Sequence, residues 1–169
     1  MGIFLDILLC FGVVLAQATF STLLSAKGIY PDLCFILACV MGFYSGEHKG
    51  LMIGLTVGLF QDIFTPGGIG INMILKGLAG GLAGVTTHTF STVTSLAIML
   101  VTFALSLGCG LASLVVAYPV IDAPILFHAL SSGLFPQGLY NSFLTLGIFW
   151  FIRYIGPSLS MVHLGRGTR

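Results

Sequence analysis

Only 7% of the 169 residues are charged, so each ionisable side chain inside an apolar run marks a possible site of chemistry. Such a residue is costly within a membrane, and its presence points to a function or to a specific partner. Lys76 is foremost, with Gln61, Asp62 and Asn72 near it in sequence. Asp32 and Asn141 stand near the starts of two further apolar runs. Two compatible readings apply to Lys76. It can run outward to pair with Asp62 and clasp a hairpin, or it can join Gln61, Asp62 and Asn72 in lining a polar cavity or partner surface. Catalysis finds no support. There is no facing carboxylate pair, no Ser/His/Asp set, no glycine-rich phosphate loop and no His pair at ligand spacing. No catalytic, cofactor-binding or metal-binding residue is therefore assigned, and no cofactor is expected. Cys10, Cys34, Cys39 and Cys109 each sit in an apolar run without metal-site spacing, and read as small buried hydrophobes.

The elements that hold these residues follow from composition. Hydrophobic residues make up 57% of the chain and mean hydropathy is +1.10, so the chain cannot cover itself with a polar surface. The fold class expected is all-α integral membrane, a single domain of six transmembrane helices at roughly 20 residues each. The spans fall at about 3–25, 31–44, 50–64, 69–85, 93–118 and 137–155. The first is read as a retained span, because Asp6 stands where a secretory signal would be basic. Pro31 and Asp32 suit the first turn of the second helix. The stretch 45–49 reads as a short charged loop, 86–92 as a polar connection, and 123–134 as a short interfacial helix that Asp122 can cap. Gly156-Pro157 is expected to end the last span. The Lys and Arg distribution puts both termini on the cytoplasmic side, with Trp150, Arg153 and Tyr154 as interface anchors there. Net charge is +1, which gives no basic patch for nucleic acid.

Two spans, over 50–84, fold about Pro66-Gly67-Gly68. Gly50, Gly54 and Gly58 recur every fourth residue, as do Gly77 with Gly81 and Gly80 with Gly84. Residues four apart share a helix face, so each arm carries a strip on which another backbone can approach closely. Such strips serve within one chain or between two copies in a homodimer.

The run Pro31-Asp32-Leu33, the stretch 42–84 and Gly138-Leu139-Tyr140-Asn141 resemble the MreD family of rod shape-determining proteins. The matching features are Asp62 near the end of the third span, Gly67-Gly68 at the bend, Gly70-Ile71-Asn72, the 77–84 glycine run and Asn141. The resemblance implies a non-enzymatic component of the bacterial inner membrane, in the cell-elongation machinery. It implies binding to a bitopic MreC-type protein, and through it a link to MreB, RodZ, RodA and penicillin-binding protein 2 in peptidoglycan synthesis. It implies a helical fold similar to the S-components of energy-coupling-factor transporters. The alternative it leaves is a small-molecule-binding subunit of a vitamin transporter. Against that, Ala16, Ala18 and Ala26 lack the Ala-x-x-x-Ala docking spacing of those subunits.

Overall fold

A computed structural model describes residues 3–20, 29–64, 70–89, 94–118 and 122–164. The Pro66–Gly68 bend, Lys27, Arg166 and Arg169 lie outside the described residues. The described chain is all helical apart from short connections. Its elements are α1 (Ile3–Phe20), α2 (Leu33–Ser45), α3 (Glu47–Phe64), α4 (Ile71–Thr89), α5 (Ser95–Ala117), α6 (Ala123–Ala129) and α7 (Phe135–Leu164). A π-helical turn, Leu130–Leu134, joins α6 to α7. Among the described residues, α5 is the one helix long and apolar enough to cross a membrane on length and composition alone. Shorter apolar stretches are Phe4–Thr19, Leu33–Ser45 and Ile71–Thr86.

Local chemistry sets the helix ends. Asp32 is the N-cap of α2, its Oδ1 accepting from the Phe35 amide at 3.0 Å. The helix starts one residue beyond it, and Pro31 precedes the cap rather than occupying the first turn. Gly46 stops α2 with φ +90°, a conformation that L side chains rarely adopt. Glu47-His48-Lys49 then forms the first turn of α3, not a loop, with Glu47 favoured at the positive helix end. Thr94 caps α5 by accepting from the Ala97 amide at 3.3 Å. Two expectations are corrected at the C-terminal end. The 123–134 stretch is not a separate interfacial helix but continues through the π turn into α7, and Asp122 makes no side-chain capping bond. Helix α7 also runs through Gly156-Pro157 to Leu164. Proline removes one helical hydrogen bond, yet its φ remains helical.

The packing centre is α2, which touches α1, α3, α4, α5 and α7. One core cluster joins Phe35, Ile36, Val40 and Phe43 of α2 to Ala79, Ala83, Ile98 and Phe149 on α4, α5 and α7. A second joins Cys34 and Met41 of α2 to Cys10, Val14, Ile53 and Val57 on α1 and α3. The outside is apolar, with Phe4, Met52, Ile74, Leu100, Phe143 and Phe151 exposed, as a lipid-facing surface requires. At one end of the bundle Lys49 pairs with Asp6 at 3.5 Å, so Asp6 meets a cation rather than only interfacial water. At that end too, Trp150 donates to Ser95 at 3.2 Å and carries the Arg153 guanidinium 5.6 Å from its ring centre.

The widest interface is α3 against α4, and glycine makes it possible. A Cβ on Gly54 would strike the Lys76 carbonyl, one on Gly58 the Asn72 carbonyl, and Gly50 and Gly80 would each strike the other's carbonyl. Gly84 lies as tightly against Glu47. Gly77 and Gly81 differ. They face the side chains of Leu55 and Leu51, and a Cβ on Gly81 would sit 3.5 Å from Leu51, an ordinary contact. The backbone-to-backbone strip on α4 is therefore Gly80 and Gly84.

Candidate functional site

Polar side chains from six helices meet at the other end of the bundle, where α1, α3 and α5 finish and α2, α4 and α7 begin. These helices consequently alternate in direction. The Lys76 ammonium, from α4, pairs with Asp32 Oδ2 at 2.9 Å and also donates to Gln61 Oε1 and to Asn72 Oδ1 at 3.3 Å. The Asp32 amide donates to Asn141 Oδ1 at 3.0 Å, and Asn141 Nδ2 donates to Ser106 Oγ at 2.9 Å. Gln17 of α1 accepts from the Cys34 amide at 3.0 Å. In this way α2 is fixed by hydrogen bonds to α1, α4 and α7.

Asp62 has a different task. Its two oxygens accept from the amides of Gly70 at 2.9 Å, Asn72 at 3.2 Å and Met73 at 3.0 Å, and from Asn72 Nδ2 at 2.8 Å. A carboxylate on α3 thus supplies the cap that the N-terminus of α4 needs, where the helix dipole also favours negative charge. Gly70, with φ +105°, turns its amide toward that carboxylate. This corrects the clasp between Lys76 and Asp62. Four N–H groups already occupy Asp62, so the ammonium finds its partner in Asp32, across to α2. Both Lys76 and Asp62 are only 3% exposed, and neither forms part of an outer surface.

The structure brings together all six polar residues singled out in the sequence: Asp32, Gln61, Asp62, Asn72, Lys76 and Asn141. Sequence reasoning missed Gln17 and Ser106. Gln17 carried a usable signal as the one amide in α1, whereas Ser106 is an ordinary residue within an apolar helix. Removing the cap gives a direct check. Asp62→Ala should lower stability by about 2 kcal/mol, read as a lower melting temperature in detergent, while Asp62→Asn, which keeps one acceptor, should lose less.

Chemically the cluster offers charge neutralisation and hydrogen bonding, with no nucleophile beside a base. Among the described residues no group of His, Cys, Asp and Glu could hold a metal ion. The cysteines are free thiols, three of them buried, and Cys109 donates weakly to the Leu75 carbonyl at 3.6 Å. A second feature lies on the lipid side. Helices α1 and α7 both pack on α2 and make no contact with each other among the described residues, which leaves an apolar groove of about 760 Å³ whose lining includes Leu9, Val13, Leu37, Met41, Ile148 and Ile152. Lys49 stands at its edge.

Comparison with family models matches residues 1–155 to the one described as rod shape-determining protein MreD. Comparison with curated proteins and with solved structures finds no match.

Proposed function

The chain belongs to the MreD family of rod shape-determining proteins, and from that premise we propose that it acts by holding the transmembrane helix of a bitopic MreC-type partner. The family is a non-enzymatic, multi-pass one of the inner membrane, with a role in rod shape. In the proposed role the chain is a scaffold subunit of the cell-elongation complex, with both termini cytoplasmic. Through its partner it is linked to MreB, RodZ, RodA and penicillin-binding protein 2, and it supports peptidoglycan synthesis.

The observation that supports this reading is the groove between α1 and α7. It is lined mainly by aliphatic side chains of α1, α2 and α7, with Tyr44, Ser45 and Lys49 among the rest, and offers a single apolar helix a trough between α1 and α7. Association of helices in lipid rests on such close packing. The polar cluster contributes indirectly, because it fixes the α2 face on which the partner lies. Asp62, Lys76 and Asn141 themselves are buried and do not meet the partner.

Co-purification from the native membrane tests the proposal. The wild-type chain should bring an MreC-type protein with it. Val13→Trp or Ile148→Trp, each filling the groove, should reduce that recovery at least severalfold while the chain stays monodisperse. Undiminished recovery with both variants would overturn the groove as the docking site, and no partner with the wild type would overturn the scaffold reading. An S-component-like fold belongs to the same proposal, and tight binding of a vitamin would turn the reading toward a transporter subunit.

A further inference from the structure

The polar cluster leaves one side open. Gln17, Asp32, Gln61, Lys76, Ser106 and Asn141 line a cavity of about 510 Å³, within the range of roughly 300–1,000 Å³ found for small-molecule sites. Its charges are already matched. Lys76 spends its three N–H donors on Asp32, Gln61 and Asn72, and Asp62 is consumed by the cap of α4. What still faces the cavity is uncharged. The Nε2 groups of Gln17 and Gln61 and the hydroxyl of Ser113 make no hydrogen bond among the described residues, and Ser106 accepts from Asn141 but donates to none of them.

The remaining wall includes Gly133 and Leu134 of the π turn, with Leu114 of α5. A π turn interrupts the regular helix and is frequent at functional sites. A Cβ on Gly133 would meet nothing, so there is room at that position, while the neighbouring Leu134 packs on Gly110 of α5.

We propose that the cavity binds an uncharged, polyhydroxylated ligand: a sugar or polyol, either free in the aqueous phase or carried as a lipid headgroup. An ionic ligand would find no free counter-charge, since Lys76 and Asp32 neutralise each other, and burying it unpaired is costly. An apolar ligand would strand the amide and hydroxyl donors. Hydroxyl groups, which donate and accept at once, match what Gln17, Gln61, Ser106 and Ser113 leave open. The proposal is independent of any protein partner, because the cavity lies inside the bundle and the groove on its lipid face.

The test uses the full chain in nanodiscs, with maltose as the free probe and a glucosyl-diacylglycerol as the lipid probe. A ligand of the folded state raises the melting temperature saturably, and at least one of the two probes should do so. A response to maltose identifies a free solute, and a response to the glycolipid alone identifies a headgroup. Ser113→Phe and Gly133→Leu fill the cavity without removing a hydrogen bond within the protein. Either variant, melting as the wild type does without probe, should bind about tenfold more weakly or worse. No saturable shift with either probe would overturn the proposal. So would undiminished binding by a folded filling variant, since that would place the probe on the outer surface.

Discussion

Gly54→Leu will yield little or no monodisperse protein in detergent, whereas Gly81→Leu will be recovered close to the wild-type level. The two glycines lie on the same hairpin, yet their neighbours differ. The first Cβ at position 54 would overlap the Lys76 carbonyl, and backbone cannot rotate away as a side chain can. To accept it, α3 and α4 must separate along an interface where Gly50, Gly58, Gly80 and Gly84 also require close approach. Overpacking a well-filled interior typically costs about 1–3 kcal/mol, and a wedge between two backbones belongs at or beyond the upper end. At position 81 the neighbour is the Leu51 side chain at 3.5 Å, which can move. Size-exclusion profiles and melting temperatures of the two variants measure the contrast. Equal loss in both would mean that bulk on α4, rather than backbone contact, limits folding.

Lys76→Met should be the most damaging change to the polar cluster. It leaves the Asp32 carboxylate without its cation and leaves the acceptors of Gln61 and Asn72 without a donor. Breaking a buried ion pair from one side costs roughly 3–5 kcal/mol, and the Asp32 side chain, 23% exposed, puts the loss at the lower end. The charge can be removed separately. Asp32→Asn keeps an oxygen able to cap α2 at the Phe35 amide, so the double variant Lys76→Met with Asp32→Asn should recover part of the stability that Lys76→Met loses. A double-mutant cycle on melting temperature reads this as a coupling between the two sites. Additive losses would show that Lys76 and Asp32 do not act as a pair.

The polar residues of the cluster were legible by their rarity, since an amide or a charge in an apolar run has few alternatives to another polar group. Glycine periodicity was likewise legible for Gly50, Gly54 and Gly58, because the period of four is itself the mark of a helix face. Pairing was not. Asp62 and Lys76 are neighbours across one hairpin, and nothing in their spacing shows that the amides of Gly70, Asn72 and Met73 fill Asp62 first. The partner that Lys76 takes, Asp32, lies 44 positions away (76 − 32) on a helix whose central place in the packing no local pattern encodes. Gly77 and Gly81 repeat with the same period as Gly80 and Gly84, and only the rotation of α4 against α3 separates the two pairs. The π turn escaped for a similar reason. Residues 131–133 read as the end of a short helix over 123–134, and nothing in their types shows that this end widens into a π turn and runs on into α7.

The hub, α2, is shorter than every helix packed against it. Thirteen residues make α2 about 20 Å long at 1.5 Å per residue, against roughly 30 Å of hydrocarbon. The helices around it are longer, from 18 to 30 residues, and α2 by itself does not reach across. A full charge crossing 100 mV is worth about 2.3 kcal/mol. Lys76 and Asp32 sit at the start of α2 as a neutral pair, on which a uniform field exerts no net force. The pairing that joins α2 to α4 therefore also makes this end of the bundle indifferent to voltage. A bare Asp32 would instead feel every change in the energised state of the membrane.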